Sequence, residues 1–200
     1  MKAIRYHAPG ASEVLQFEDA PDPSPGERDV VVRVAAAALN HLDIVQRNGW
    51  YQLPGFAYPH IAGMDIAGEI VAVGSSVTRV AVGDRVVIDP SLSEVPSGSS
   101  LAGRGDLYGG LGVIGANADG GYAELCLAPE THVHVIPAGL GFSSAATFPT
   151  AWLTAWHALF TVGRLKAGET VMIHAAGSGV SVAAIQLAKH FGATVLATAG

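Results

Sequence analysis

The chain contains one cysteine, Cys126, so no disulfide can form within it and no cysteine-rich zinc site is available. Positive charge is also scarce. Eleven Lys and Arg stand against seventeen Asp and Glu, for a net charge of −6. No basic cluster exists to meet nucleic acid or an anionic membrane, and neither is expected as a partner. Charged residues make up only 14% of the chain while half of its 200 residues are apolar. That balance excludes a disordered protein and allows one large or two small packed domains. The opening run Met1-Lys2-Ala3-Ile4-Arg5-Tyr6-His7 has no apolar stretch of a secretory leader, so a cytoplasmic location is the expectation.

One apolar run is long. Residues 142–162 hold no Asp, Glu, Lys or Arg. Ser143, Ser144, Thr147, Pro149, Thr150, Thr154, His157 and Thr161 interrupt it, and a buried helix accounts for it better than a bilayer span.

Residues 1–130 read as β-rich. Val30-Val31-Val32-Arg33-Val34 is a strand, and residues 66–73 and 85–88 are two more, separated by Gly74-Ser75-Ser76 and Gly83-Asp84. Gly120-Gly121 opens a strand through Leu127, and His132-Val133-His134-Val135-Ile136 forms another. Short strands with glycine turns at this spacing suggest a barrel. A short helix is expected over residues 42–47. Residues 91–115, rich in Gly and Ser and without apolar periodicity, read as a surface loop or lobe. From Ser143 the pattern turns helical, with Ser143 or Ser144 as cap and Pro149 in a first turn. The domain boundary is placed near residue 130.

The last segment, 166–200, reads as strand, glycine turn, helix, strand. Val171-Met172-Ile173 suits a buried parallel strand, Ala175-Ala176-Gly177-Ser178-Gly179-Val180-Ser181 a tight turn, and residues 182–191 a helix stopped by Gly192. Residues 194–198 form the second strand. This is an opening βαβ unit, whose turn would offer backbone N–H groups to a pyrophosphate.

Several segments together resemble the medium-chain dehydrogenase/reductases, the superfamily of zinc alcohol dehydrogenases and quinone oxidoreductases. They are Ala38-Leu39-Asn40-His41-Leu42-Asp43, Gly63-Met64-Asp65-Ile66-Ala67-Gly68-Glu69-Ile70, the Gly83-Asp84-Arg85-Val86 strand entry, Asp119-Gly120-Gly121-Tyr122-Ala123-Glu124 and the glycine turn, in that order. The resemblance implies an α/β chain with a β-rich N-terminal domain: a GroES-like β-barrel over 1–130, followed over 131–200 by the start of a Rossmann doubly wound parallel sheet. The zinc branch places its catalytic metal on residues that correspond here to Asn40, Met64 and Thr150, and its four-cysteine lobe corresponds to Glu94, Ser97, Ser100 and Tyr108. An amide, a thioether and a hydroxyl do not replace thiolates and an imidazole around zinc. The resemblance therefore implies the zinc-free branch, with a vestigial lobe at 91–115, no metal, and hydride transfer from NADP(H) to a quinone or an α,β-unsaturated carbonyl.

On that reading Asn40 and Tyr51 are the catalytic candidates, as neutral donors to a developing oxyanion, and a phenol holds a proton it can supply. Asp43 and Asp65 are expected to be structural, Met64 an apolar wall, Cys126 a buried strand residue, and His132 and His134 a solvated strand face. Ala176, Gly177, Ser178, Gly179, Val180 and Gly200 are the cofactor-binding candidates. Ser181, where the fingerprint carries glycine, is expected to crowd the helix–strand contact. Gly200, at the end of the second strand, offers no carboxylate to a ribose, which favours NADP(H) over NAD(H). The family is normally longer, and about two of the six strands of its cofactor sheet are supplied here. These 200 residues alone are thus not expected to turn over substrate. A small-molecule substrate and a homodimer through the open strand edge are the expected partners. Two alternatives remain open: a truncated, non-catalytic binding module, and a zinc-type alcohol dehydrogenase with substituted ligands.

Overall fold

The computed structural model describes residues 1–92, 99–101 and 112–200, and it divides into two compact units, Met1–Thr147 and Phe148–Gly200. In the first, a three-stranded antiparallel sheet is built from β1 (Lys2–Tyr6), β2 (Gln16–Asp19) and, after the long strand β3 (Asp29–Ala38) and helix α1 (His41–Arg47), β4 (His60–Ile61), in the order β2-β1-β4. β5 (Asp65–Val73), β6 (Arg85–Ile88), β7 (Leu125–Pro129) and β8 (Val133–Val135) join β3 in a five-stranded antiparallel sheet, β7-β3-β5-β6-β8. A bridge between Ala3 and Ala123 ties one sheet to the other.

Val30, Val32, Ile66, Ile70, Val86, Ile88 and Cys126 fill the main core of this curled sheet. Each large side chain so buried contributes roughly 1.5–3 kcal/mol. Strand β3 bulges twice against β5, once between Val34 and Ala36. At that bulge the backbones close up so far that a Cβ on Gly68 would lie 2.0 Å from the Arg33 carbonyl oxygen, so only glycine fits. Both ends of the Gly/Ser lobe enter the core, where Leu92, Leu101 and Ile114 are buried. The reading of 91–115 as wholly surface therefore fails at those residues: three apolar side chains in a polar stretch carry no periodicity, yet suffice to anchor it. Of the residues expected to correspond to the zinc lobe's cysteines, Ser100 donates its N–H and its hydroxyl to the buried carboxylate of Asp29; Glu94, Ser97 and Tyr108 lie outside the described residues.

The first unit extends past the boundary expected near residue 130. β8 pairs with β6, and a short helix α2 (Phe142–Ala145) packs on β3 and β5, burying Ala145 and Ala146 against Ala67 and Ile136. The division falls after Thr147 because β8 and α2 are held by the five-stranded sheet. His132 and His134 do not share a strand face. His132 is buried in a 3₁₀ turn, Glu130–His132, and His134 is exposed on β8.

The second unit holds α3 (Pro149–Trp156), with its proline in the first turn, a π-helical turn (His157–Val162), β9 (Thr170–Ile173), α4 (Gly179–His190) and β10 (Thr194–Ala197). β9 and β10 pair in parallel, Val171 opposite Val195 and Met172 opposite Leu196. Ala155 of α3, Ala183, Ala184 and Ala188 of α4, and Ile173 make the core, the alanines allowing close helix approach. Among the described residues, no helix is long and apolar enough to cross a membrane.

Candidate active site

Asn40 stands two residues after the end of β3 and caps α1. Its peptide N–H donates to Asp43 Oδ2 at 2.8 Å, the returning arm of a capping box. Its amide Nδ2 donates to Asp65 Oδ2 at 3.0 Å. Asp43 Oδ2 also accepts the Tyr122 hydroxyl at 2.6 Å, a short charge-assisted bond. Asn40, Asp43, Asp65 and Tyr122 thus form one network, with Asp43 8% and Asp65 3% exposed.

Burial pushes the Asp43 carboxyl above the usual carboxylate range, although the Tyr122 hydroxyl and the peptide N–H groups of Asn40 and Gly63 pull it back. Burial and then the adjoining Asp43 carboxylate push the Tyr122 phenol well up, so Tyr122 keeps its proton. Asp43 and Asp65 were expected to be structural, holding backbone or a nearby cation: Asp43 accepts the Asn40 peptide N–H, and Asp65 accepts from the Asn40 side chain. Sequence reasoning passed over Tyr122. The signal was available in Gly63, whose φ of +100° and missing Cβ leave room for the Tyr122 ring: an added Cβ would meet ring carbon Cδ1 at 2.6 Å.

Beside the network lies a pocket of about 230 Å³, with Leu15, Leu39 and Ile44 on its apolar wall and Asn40, Asp43 and Tyr122 at its polar edge. Tyr51 is not part of the network. It is 53% exposed, and its phenol makes no hydrogen bond among the described residues. Met64 is buried in an apolar cluster with Leu53 and Ala116. Thr150 belongs to α3 in the second unit. Among the described residues, no group of three or more His, Cys, Asp and Glu is placed to hold a metal ion.

At the glycine turn Ser178 caps α4, its Oγ accepting the Ser181 N–H at 3.2 Å. The Ser178 hydroxyl donates to Ser181 Oγ at 2.9 Å, and the Ser181 hydroxyl donates to the His174 carbonyl at 2.8 Å. Ser181 therefore does not crowd the helix against the strand as expected. A hydroxyl is small enough to turn the contact into a hydrogen bond to the end of β9. Two of the cofactor-binding candidates have spent their N–H groups within the fold: Ala176 donates to Thr198 and Ser178 to Ala175, each at 2.9 Å. Those of Gly177, Gly179 and Val180 carry no hydrogen bond among the described residues. The turn is also open. A Cβ on Gly177 would meet nothing within 4 Å, and one on Gly179 only the Ala151 Cβ at 3.9 Å. An open turn with three unpaired donors at a helix N-terminus fits a pyrophosphate. Gly200 lies three residues past the end of β10, and a Cβ added to it would likewise meet nothing within 4 Å.

The antiparallel half-barrel with this capped helix defines a known class: residues 26–138 match the Alcohol dehydrogenase GroES-like domain. The chain belongs to the medium-chain dehydrogenase/reductase superfamily. It is 37% identical to a quinone oxidoreductase of Pseudomonas aeruginosa, covering 98% of this chain and 52% of that protein. It is 32% identical to an acryloyl-coenzyme A reductase of Sulfurisphaera tokodaii, covering 98% of this chain and 58% of that one. A solved structure of an NAD-dependent alcohol dehydrogenase superposes with a TM-score of 0.89 at 42% identity, over 100% of this chain and 58% of its own. The chain spans about half the length of the curated relatives it matches, and the half it spans is the N-terminal half of full dehydrogenase folds.

Proposed function

We propose that this oxidoreductase chain serves zinc-independent, NADP(H)-dependent hydride transfer to a quinone or an α,β-unsaturated carbonyl. The observation that carries the reading is the Asn40 amide. It stands where the zinc branch has a metal ligand, one of its N–H bonds is committed to Asp65, and the second remains as a neutral donor. The relatives described as quinone oxidoreductase and acryloyl-coenzyme A reductase support this substrate class.

NADP(H), when bound, supplies the hydride. The N–H groups of Gly177, Gly179 and Val180 are the donors for its pyrophosphate. Reduction at the β-carbon gathers negative charge on the substrate's carbonyl oxygen. The Asn40 amide and the Tyr51 hydroxyl donate to that oxygen, and one such donor is worth roughly 10²–10³ in rate. Tyr51, exposed to solvent, passes its phenol proton to the α-carbon or to the reduced oxygen and recovers one from water. The donor set of Asn40, Met64 and Thr150 lacks thiolate and imidazole, and stoichiometric zinc in the purified protein would refute the metal-free reading.

Cofactor choice rests on Gly200. With no carboxylate there, nothing repels a 2′-phosphate. The likeness to an NAD-dependent alcohol dehydrogenase favours NAD(H) as the second reading.

The test is spectroscopic. On binding 2-cyclohexen-1-one labelled with carbon-13 at the carbonyl, the carbonyl resonance is expected to move downfield as donors polarise it. Asn40→Leu and Tyr51→Phe should each reduce the movement. An unmoved resonance, or one unaffected by both substitutions, refutes the proposal.

A further inference from the structure

We propose that Asp65 is the positioning residue for Asn40; this rests on the reading of Asn40 as a substrate-side donor. Asp65 opens β5 and is paired in register with Ala38 at the end of β3, two residues before Asn40. The sheet therefore delivers the Asp65 carboxylate to the first residue beyond the strand pair that carries a polar side chain. Asp65 Oδ2 accepts the Asn40 Nδ2–H at 3.0 Å, and Asp65 is 3% exposed.

The two ends of a carboxamide differ, and a carboxylate tells them apart. A carboxylate only accepts hydrogen bonds. It draws the NH₂ end of Asn40 toward itself and repels the oxygen end, so the amide cannot turn over. The second Nδ2–H is then held in one direction. The backbone of Asn40 is fixed independently, because Asp43 Oδ2 takes its N–H while also taking the Tyr122 hydroxyl. With backbone and amide both held by buried carboxylates, the donor needs no reorganisation when a carbonyl arrives. Without Asp65 the bond that aims the Nδ2–H of Asn40 is lost, and only the capping-box contact of its side chain with the backbone of α1 remains to orient the amide.

The experiment measures 2-cyclohexen-1-one affinity by NMR titration of the unaltered chain and of Asn40→Leu, Asp65→Leu, Asp65→Asn and the double leucine variant. Asp65→Leu is expected to weaken binding about fivefold, the worth of one hydrogen bond near 1 kcal/mol. Asp65→Asn, whose side-chain oxygen can accept the same bond, should fall between Asp65→Leu and the unaltered chain. The double variant should bind no more weakly than Asn40→Leu alone if the effect of Asp65 on the substrate runs through Asn40.

A second readout does not depend on the variants folding. In the unaltered protein one Nδ2 proton of Asn40 should resonate downfield and exchange slowly with solvent; two fast-exchanging, ordinary protons overturn the proposal. Asn40→Leu weakening the affinity while Asp65→Leu leaves it unchanged overturns the positioning role and leaves the donor reading standing. An unaffected Asn40→Leu, or no binding by the unaltered chain, overturns the donor reading and this proposal with it.

Discussion

Replacing Tyr122 by Phe removes one oxygen and keeps the ring that packs on Gly63. No cavity opens, so the change isolates the 2.6 Å bond to Asp43. A hydrogen bond to a charged group contributes about 1.5–3 kcal/mol, and roughly 2 kcal/mol is the expected loss at pH 7–8. The loss should depend on pH with a defined sign. Burial already holds the Asp43 carboxyl above its ordinary range, and the Tyr122 hydroxyl is the strongest of the groups drawing it down. Without that hydroxyl the folded-state pKa rises further. A carboxyl raised on folding contributes stability that is complete below its unfolded pKa and is lost as pH rises through its folded pKa. The variant should therefore lose more than the unaltered chain across that rise. The gap should narrow to about 1 kcal/mol once Asp43 is protonated, the worth of a neutral bond. Urea titrations between pH 4 and 8, followed by amide resonances of Ile66 and Ala67 in β5, report the first unit alone. A penalty that is flat with pH, or that grows toward acid, would refute the charge-assisted bond.

Gly63→Ala meets both a φ of +100° and the Tyr122 ring at 2.6 Å; strain alone costs about 1–3 kcal/mol, and the Tyr122 ring resonances should shift. Glu130→Gln affects a side chain 1% exposed that accepts from the Arg28 guanidinium and the N–H groups of Thr78 and Arg79. Loss of about 3 kcal/mol at pH 7 is expected by urea titration. Burial raises the Glu130 carboxyl, but those donors outweigh it and hold it below the usual range. Its contribution is thus present at neutral pH and disappears as pH falls through the lowered pKa, and the Gln variant should lack that acid limb. Ser181→Gly, which removes the bonds to His174 and Ser178, should cost the second unit about 1–2 kcal/mol, read from amide exchange in α4.

Strands β3, β5 and β6 were legible because Val and Ile recur there densely enough to mark buried pleats. β1, β2 and β4 were not. Gln16-Phe17-Glu18-Asp19 has no strand composition, and His60-Ile61 is only two residues long; each is a strand because β1 pairs with it. The boundary moved from 130 to 147 for a similar reason: α2 looks like the start of the helical unit but buries its apolar side against β3 and β5. At the site, Asn40 was legible from its motif. Its partners were not, because Asp65 lies 25 residues away and Tyr122 lies 79 residues from Asp43, brought in by the register of β3 with β5 and by the room Gly63 leaves. The fate of Ser178 and Ser181 was equally hidden, since a serine in place of a fingerprint glycine obstructs or hydrogen-bonds according to a rotamer that sequence does not reveal.

The central claim, that the turn 176–180 holds a phosphorylated nicotinamide dinucleotide, is tested most directly by fluorescence titration of the chain with NADPH and NADH. NADPH should bind at least about tenfold more tightly than NADH. Gly179→Pro, a substitution that a first helical position tolerates while losing its N–H, should weaken NADPH by about tenfold. Absence of NADPH binding, or an affinity untouched by Gly179→Pro, would contradict the account, and tighter binding of NADH would reverse its cofactor assignment.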